Sequence, residues 1–204
     1  MIFDDTYKTI TASAEGLFKD KGSKFIAIAF TVHDEEDFKV KLSELKKTYH
    51  DARHHCYAYM IGSDKGCFRS NDDGEPSGTA GKPILNQILS FDLTDIAIVV
   101  VRYFGGTKLG VSGLINAYKT AARAALDQAQ IVERTINEVY SLDFEYPLMN
   151  EVMRIIKEEQ LEQLNPKFDM RCYLELSIRK KNADRIIDRL KNLYGVQVKY
   201  IKTT

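Results

Sequence analysis

The residues best suited to chemistry follow the most apolar run of the chain. Residues 96–101 are six consecutive apolar residues, and they lead into Arg102 and a double glycine. Because glycine has no Cβ, such a loop can bring its backbone N–H groups close to a ligand. The helix predicted behind the loop adds unpaired N–H donors and the positive end of its dipole, and Arg102 and Lys108 add full charges, so the stretch favours an anion. We predict anion or nucleic-acid binding by Lys82, Arg102, Tyr103, Phe104, Gly105, Gly106, Lys108 and Gly110.

A purely structural turn is the competing interpretation of the same glycines, because glycine pairs are common in turns. The stretch lacks both the Gly-Lys-Ser/Thr ending of a phosphate-binding loop and the third glycine of the dinucleotide fingerprint, so no nucleotide motif decides between the two. Strand alternation turns one of Tyr103 and Phe104 away from the core, where its ring can stack on a base or pack against the neighbouring helix.

A second candidate region is the loop over residues 71–82, which is rich in glycine and acidic residues. Asp72, Asp73 and Glu75 place three carboxylates within four positions, which suits a magnesium or calcium ion or a general base. Acidic turn residues also commonly do no more than hydrate a loop. The calcium-loop pattern is absent, so we assign no metal and no cofactor.

The start of the preceding predicted strand carries His54, His55 and Cys56, of which His54 and Cys56 share one face. Cys67 adds a third zinc-type ligand only if its strand pairs in register with this one, and free cysteines are mostly buried as small apolar groups. We therefore treat His54, His55, Asp72, Asp73 and Glu75 as a possible functional loop without catalytic or metal-binding roles.

The composition sets the class of protein. The chain has 204 residues, 44% of them hydrophobic, with 29 basic and 29 acidic residues, so its bulk charge does not demand a polyanionic partner. The acidic start is unlike a signal peptide, and no apolar run approaches the roughly 20 residues of a membrane span. Three cysteines without a Cys-x-x-Cys pair are compatible with a reducing compartment. We expect a soluble cytoplasmic protein without a membrane partner.

The spacing of apolar residues predicts the elements that must position these side chains. Alternation and β-branched residues predict strands at 1–12, 15–18, 24–32, 55–61, 66–70 and 96–101. Helical spacing predicts a helix capped by Asp34, a second around residues 84–89 and a long third helix over 111–129.

The last third of the chain predicts a separate unit. Strands at 139–145, 163–168, 171–178 and 196–201 alternate with helices at 148–159 and 182–193, which is the β-α-β-β-α-β order of the ferredoxin-like fold. A basic cluster, residues 179–181 with Arg185, Arg189 and Lys191, suits either a solvated helix face or RNA phosphate. We predict an α+β protein with domains at 1–133 and 134–204.

Three sequence blocks carry a resemblance to a known family. They are ARHHCYAY at 52–59, DDGEPSGTAGKPIL at 72–85 and VRYFGGTKLG at 101–110, and in this order they resemble the YigZ/Impact family. The resemblance covers roughly residues 15–125, and the tail resembles the second domain of the bacterial members, which is similar to a C-terminal domain of elongation factor G. It implies an N-terminal fold shared by a ribosomal-protein domain and domain IV of elongation factor G.

The same resemblance implies a role in translation, because eukaryotic relatives regulate it by binding a co-activator of a kinase that acts on a translation initiation factor. We therefore predict a non-enzymatic, translation-associated regulatory protein that binds RNA phosphate, the ribosome or a translation-factor partner. The alternative is a metal-dependent enzyme acting on a phosphorylated small molecule, with Asp72, Asp73 or Glu75 as ligands or base. The sequence leaves the oligomeric state undetermined.

Overall fold

The computed structural model describes residues 5–204, and the first four residues of the predicted strand at 1–12 lie outside this range. The described chain forms two compact units, one spanning residues 7–134 and the other residues 135–204 together with Asp5 and Thr6. Both units mix helices and strands, so the protein is a mixed α/β protein with two units, as the sequence predicted at that level.

The N-terminal unit is built on a five-stranded antiparallel sheet with the strand order β2-β3-β6-β4-β5. Its strands are β2 (Ala14–Asp20), β3 (Ser23–Thr31), β4 (His54–Ile61), β5 (Cys67–Asn71) and β6 (Ile96–Tyr103). A separate two-stranded sheet pairs β1 (Thr6–Ile10) with β7 (Ile131–Thr135).

Helices cover both faces of the five-stranded sheet. The helices are α1 (Glu35–Thr48), α2 (Gly81–Ser90) and α3 (Gly110–Gln128). Side chains of α2 and α3, among them Ile84, Ile88 and Tyr118, pack in one cluster with one face of the sheet, whereas Phe38 of α1 packs in a second cluster with the other face. The central strand β6 is therefore buried on both sides, which explains its continuous apolar sequence.

Local sequence signals fix the ends of α1. The side chain of Asp34 accepts a hydrogen bond from the backbone N–H of Asp37 at 2.7 Å, and acidic residues fill the first turn while two lysines fill the last. This arrangement satisfies an otherwise unpaired donor and complements the helix dipole. The predicted cap at Asp34 is confirmed.

The C-terminal unit has one four-stranded antiparallel sheet with the order β11-β8-β10-β9. Its elements in chain order are β8 (Asn137–Glu145), a 3-10 turn (Tyr146–Leu148), α4 (Met149–Glu158), β9 (Glu162–Lys167), β10 (Arg171–Arg179), α5 (Lys180–Lys191) and β11 (Gln197–Thr203). Leu142 and Leu174 on the sheet pack with Val152 of α4 and Ile186 of α5, so both helices share one core with the sheet. Over residues 5–204, no helix is both long and apolar enough to cross a membrane.

Candidate functional site

The predicted glycine-rich loop borders an open cleft of about 500 Å³ in the N-terminal unit. The cleft lies where β4 begins, β6 ends and α3 begins. Its cationic and polar lining is Arg53, His54, Glu75, Arg102 and Lys108, and its apolar lining is Pro76, Phe104, Leu109, Val111 and Leu114, with Gly110 at the start of α3.

Strand pairing brings two of the sequence blocks to this cleft. β4 and β6 run antiparallel, and their register sets His54 directly opposite Arg102. The loop after β5 adds Glu75, so the histidine strand, the acidic loop and the glycine-rich stretch meet in one place. Residues 54, 75 and 102 are therefore neighbours in space although they are far apart in the chain.

The floor of the cleft holds a buried ion pair. The Nη1 atom of Arg102 donates to Oε1 of Glu75 at 2.5 Å, and their side chains are 7% and 4% exposed. The Tyr118 hydroxyl donates to the same Oε1 at 2.8 Å, and Cys56 Sγ lies 3.3 Å from that hydroxyl. Burial raises the pKa of both Tyr118 and Cys56, so both groups stay protonated and uncharged at neutral pH.

Two aromatic rings flank the guanidinium of Arg102. Its Cζ atom lies 5.4 Å from the ring centre of Phe25 and 5.7 Å from that of Phe104. The Nε atom of Arg102 is buried, and it has no hydrogen-bond partner among the described residues. Arg102 is thus held by one carboxylate and two rings, and its buried Nε–H group has no acceptor within the described structure.

The carboxylate of Asp72 fixes the acidic loop by accepting three backbone hydrogen bonds. Its Oδ1 accepts from the backbone N–H groups of Ala80 and Gly81 at 2.9 and 2.8 Å, and its Oδ2 accepts from that of Gly78 at 2.8 Å. Burial alone would raise the pKa of Asp72, but these three hydrogen bonds outweigh it and lower the pKa below its ordinary value. The loop that carries Glu75 is therefore fixed to the start of α2.

Asp73 and the two histidines form a second set of contacts within this loop. Oδ2 of Asp73 accepts from the backbone N–H of His55 at 2.7 Å, and the backbone carbonyl of Asp73 accepts from Nδ1 of His54 at 2.8 Å. The His55 ring donates to the carbonyl of Tyr49, and burial lowers the pKa of His55 although Asp73 opposes this shift. His54 lines the cleft, whereas His55 lies on the opposite face of the strand.

The glycine-rich loop combines one tight contact with several free donors. A Cβ on Gly105 would lie 1.9 Å from the carbonyl carbon of Gly22, so the backbone there approaches the turn between β2 and β3 too closely for any side chain. Gly106 and Gly110 have φ values of 88° and 71°, which favour glycine. In the described structure, none of the backbone N–H groups over residues 106–109 donates to the protein, and α3 has no side-chain cap.

Several predicted site residues lie outside the cleft lining. Tyr103 points to the α1 side of the sheet, where its hydroxyl donates to Asp51 at 2.7 Å, and Lys82 is exposed on α2. Sequence reasoning missed Arg53, Val111 and Tyr118. Tyr118 had a recognisable signal, because it is a large polar-tipped residue on an otherwise alanine-rich buried stripe.

The carboxylates and cysteines do not assemble into a metal site. Among the residues that the structure describes, no group of three His, Cys, Asp or Glu side chains is arranged to hold an ion. Cys67 pairs with Ile61, at the far end of β4 from Cys56, so the conditional zinc arrangement does not form.

The predicted basic cluster of the C-terminal unit is partly neutralised by acids of the same unit. Arg185 forms a two-pronged ion pair with Glu159, and Arg189 pairs with Glu158 and Glu159. Arg179 pairs with Asp5. Because their charges are paired within the protein, the three arginines fit a solvated helix face better than a surface that binds RNA phosphate.

Comparison with known proteins identifies the family. Residues 21–126 match the Impact N-terminal domain, a segment that contains all three sequence blocks. The chain is also 35% identical over 155 residues to the IMPACT family member YvyE of Bacillus subtilis (strain 168), which covers 76% of this chain and 71% of the relative. This chain belongs to the Impact family. The resemblance proposed from the three blocks is confirmed.

Other Impact family members and a solved structure are similar along much of the chain. An IMPACT family member of Haemophilus influenzae is 35% identical over 181 residues, covering 85% of this chain and 86% of the relative. YigZ of Escherichia coli is 39% identical over 128 residues, covering 62% and 63%. A crystal structure described as that of a hypothetical protein has a TM-score of 0.75 and 28% identity, and the match covers 97% of this chain and 98% of that chain.

Proposed function

We propose that this protein is a translation-associated regulatory protein that binds RNA phosphate through the cleft at the start of α3. The observation that carries the proposal is the set of free donors around this cleft. Arg53, Arg102 and Lys108 oppose the single carboxylate of Glu75, which leaves two positive charges in excess, and the backbone N–H groups over residues 106–109 have no partner in the described part of the protein. Cations beside a helix start favour a phosphate group.

The ribosome is the RNA-bearing partner that a role in translation favours, and binding to it would place the protein in the cytoplasm. We also propose the two finer fold assignments. The N-terminal unit would share the fold of a ribosomal-protein domain and domain IV of elongation factor G. The C-terminal unit would be ferredoxin-like, an assignment supported by its β-α-β-β-α-β order and by its single antiparallel sheet with both helices in one core.

A binding role has more support than the alternative of a metal-dependent enzyme. Each carboxylate of the acidic loop is already engaged: Asp72 with three backbone N–H groups, Asp73 with the N–H of His55, and Glu75 with Arg102 and Tyr118. These hydrogen bonds hold the three side chains within the loop, and no three of the described His, Cys, Asp and Glu side chains are grouped so that they could hold an ion. We therefore propose that the three carboxylates shape the cleft.

Co-sedimentation with purified ribosomes at two salt concentrations tests the proposal. Arg53→Ala and Lys108→Ala remove the two exposed cations of the cleft, and Lys47→Ala on the other side of the sheet is the matched control. We expect each cleft variant to weaken binding and to reduce the slope of log K against log salt by about 0.7–0.9, because each loses roughly one phosphate contact. Equal binding by the double variant Arg53→Ala, Lys108→Ala and by the Lys47→Ala control would refute the proposed site.

A further inference from the structure

We propose that the cleft receives a single unpaired nucleotide, with its phosphate at the start of α3 and its base stacked on Phe104. This inference rests on the proposed function and narrows its ligand from RNA in general to a single-stranded segment. Four features of the cleft support it: an aromatic platform, an apolar wall, an unused buried donor and a limited volume.

The aromatic platform is Phe104, whose side chain has one covered side and one open side. The guanidinium of Arg102 lies over the ring at 5.7 Å, yet the residue is 52% exposed. A large aromatic residue beside a cation and open to solvent is the arrangement with which proteins stack unpaired bases, because every base has a π-face. Phe104 is also set close to phosphate-binding groups, since it and Lys108 line the same cleft.

The apolar wall lies on the helix side of the cleft. Val111, in the first turn of α3, is 59% exposed, and Leu109 and Leu114 extend the same lining inward. Inorganic phosphate alone has no apolar surface that could pack against these side chains. An apolar wall, an aromatic ring and cations together match a ligand that joins a flat ring to an anionic group.

The unused donor is Nε of Arg102, which is buried and has no partner in residues 5–204 although the side chain is only 7% exposed. Buried donors are nearly always satisfied, so Nε is an exception at the edge of the cleft, and because the atom itself is covered, a ligand acceptor reaches it only if the Arg102 side chain shifts on binding. Phosphate and base oxygens are acceptors of the required kind. This observation is independent of the helix start and of the glycine loop.

The volume of about 500 Å³ limits what can enter. It lies within the range of about 300–1,000 Å³ that is usual for sites that enclose a small ligand. A base in a duplex is stacked between its neighbours and cannot insert into such a site, whereas a base in a single strand, loop or end can turn outward. The cleft therefore suits an unpaired nucleotide and not the face of a duplex.

Fluorescence titration with a single-stranded RNA oligonucleotide that carries 2-aminopurine tests the inference, with the same sequence in a duplex as the comparison. We expect the single strand to bind more tightly, and the emission of its 2-aminopurine to rise as the base leaves its stacked neighbours and enters the cleft. Phe104→Ala should weaken single-strand binding by about 5- to 150-fold. Phe104→Tyr should retain the affinity for the single strand, because it keeps an aromatic ring at this position.

Phe68→Ala is the matched control, because Phe68 is a similarly exposed phenylalanine on the edge strand β5, outside the cleft lining. Thermal melting of every variant checks that the fold is kept, and Phe104→Leu preserves an apolar cover over Arg102 should the alanine variant unfold. If Phe104→Leu leaves the affinity for the single strand unchanged while Lys108→Ala still reduces it, the proposed base stacking is wrong. The proposed phosphate site would then remain supported. If no RNA binds to the wild-type protein, both proposals fail.

Discussion

Glu75 and Arg102 are partners in a buried ion pair that joins the acidic loop to the end of β6. One carboxylate oxygen of Glu75 accepts hydrogen bonds from both Arg102 and Tyr118, so strand, loop and α3 converge on a single atom. The charge of Arg102 is therefore largely compensated inside the protein. Arg53 and Lys108, which have no ion-pair partner in the described structure, are the cations that remain available to a ligand.

Breaking this pair should destabilise the N-terminal unit more than removing it altogether. Arg102→Met leaves the Glu75 carboxylate buried without its counter-charge, and we expect a loss of about 3–5 kcal/mol in the free energy of unfolding. The double variant Glu75→Gln, Arg102→Met removes both charges and should recover much of this loss. Urea unfolding followed by circular dichroism measures both values, with the exposed Arg53→Met as control. Strictly additive losses would contradict the coupling.

The elements of the fold were predictable because local patterns determine them. The continuous apolar run of β6 indicated burial on both faces, and the cap at Asp34 with its acidic first turn indicated where α1 begins. The meeting of three sequence blocks at one cleft was not predictable, since it depends on the register of β4 against β6 and on the path of the acidic loop. Periodicity contains no information about such long-range pairing.

Cys67 shows the same limit on a smaller scale. The sequence placed Cys56 and Cys67 on neighbouring strands but left their register open. In the structure the short connection over residues 62–66 sets Cys67 opposite Ile61, because the length of a hairpin loop determines strand register. The two thiols consequently lie at opposite ends of β4, a result that no ligand-spacing argument could supply.

Gly105 should tolerate substitution less well than its neighbour Gly106. A Cβ on Gly105 would meet the backbone of Gly22 and Ser23 at 1.9 and 2.1 Å, and backbone atoms cannot move aside cheaply. At Gly106 the space is open and only the positive φ opposes alanine. We expect Gly105→Ala to lower the free energy of unfolding by about 3 kcal/mol or more, and Gly106→Ala to lower it by about 1–2 kcal/mol. Urea unfolding of the two variants ranks them, and equal losses would argue against the close approach to the β2–β3 turn.

Asp72 should make the stability of the N-terminal unit depend on acid pH. Its folded pKa lies below the ordinary value of 3.8, because the hydrogen bonds from Gly78, Gly81 and Ala80 outweigh the opposing effect of burial. A carboxyl with a depressed folded pKa contributes stability that is fully present above its unfolded pKa and is lost as the pH falls through the folded pKa. The contribution of Asp72 should therefore decline below about pH 3.8.

Asp72→Asn isolates this contribution, since the amide keeps one acceptor oxygen but turns a donor toward the N–H of Gly78. We expect the free energy of unfolding of the variant to be about 1–3 kcal/mol lower than that of the wild type at pH 7. This difference should shrink as the pH falls below about 3.8. Urea unfolding at pH 7, 5, 4 and 3 measures it, and Asp127→Asn, which removes an exposed carboxylate of α3, controls for the change in net charge. A difference that stays constant from pH 7 to pH 3 would mean that the three hydrogen bonds do not depend on the charge of Asp72.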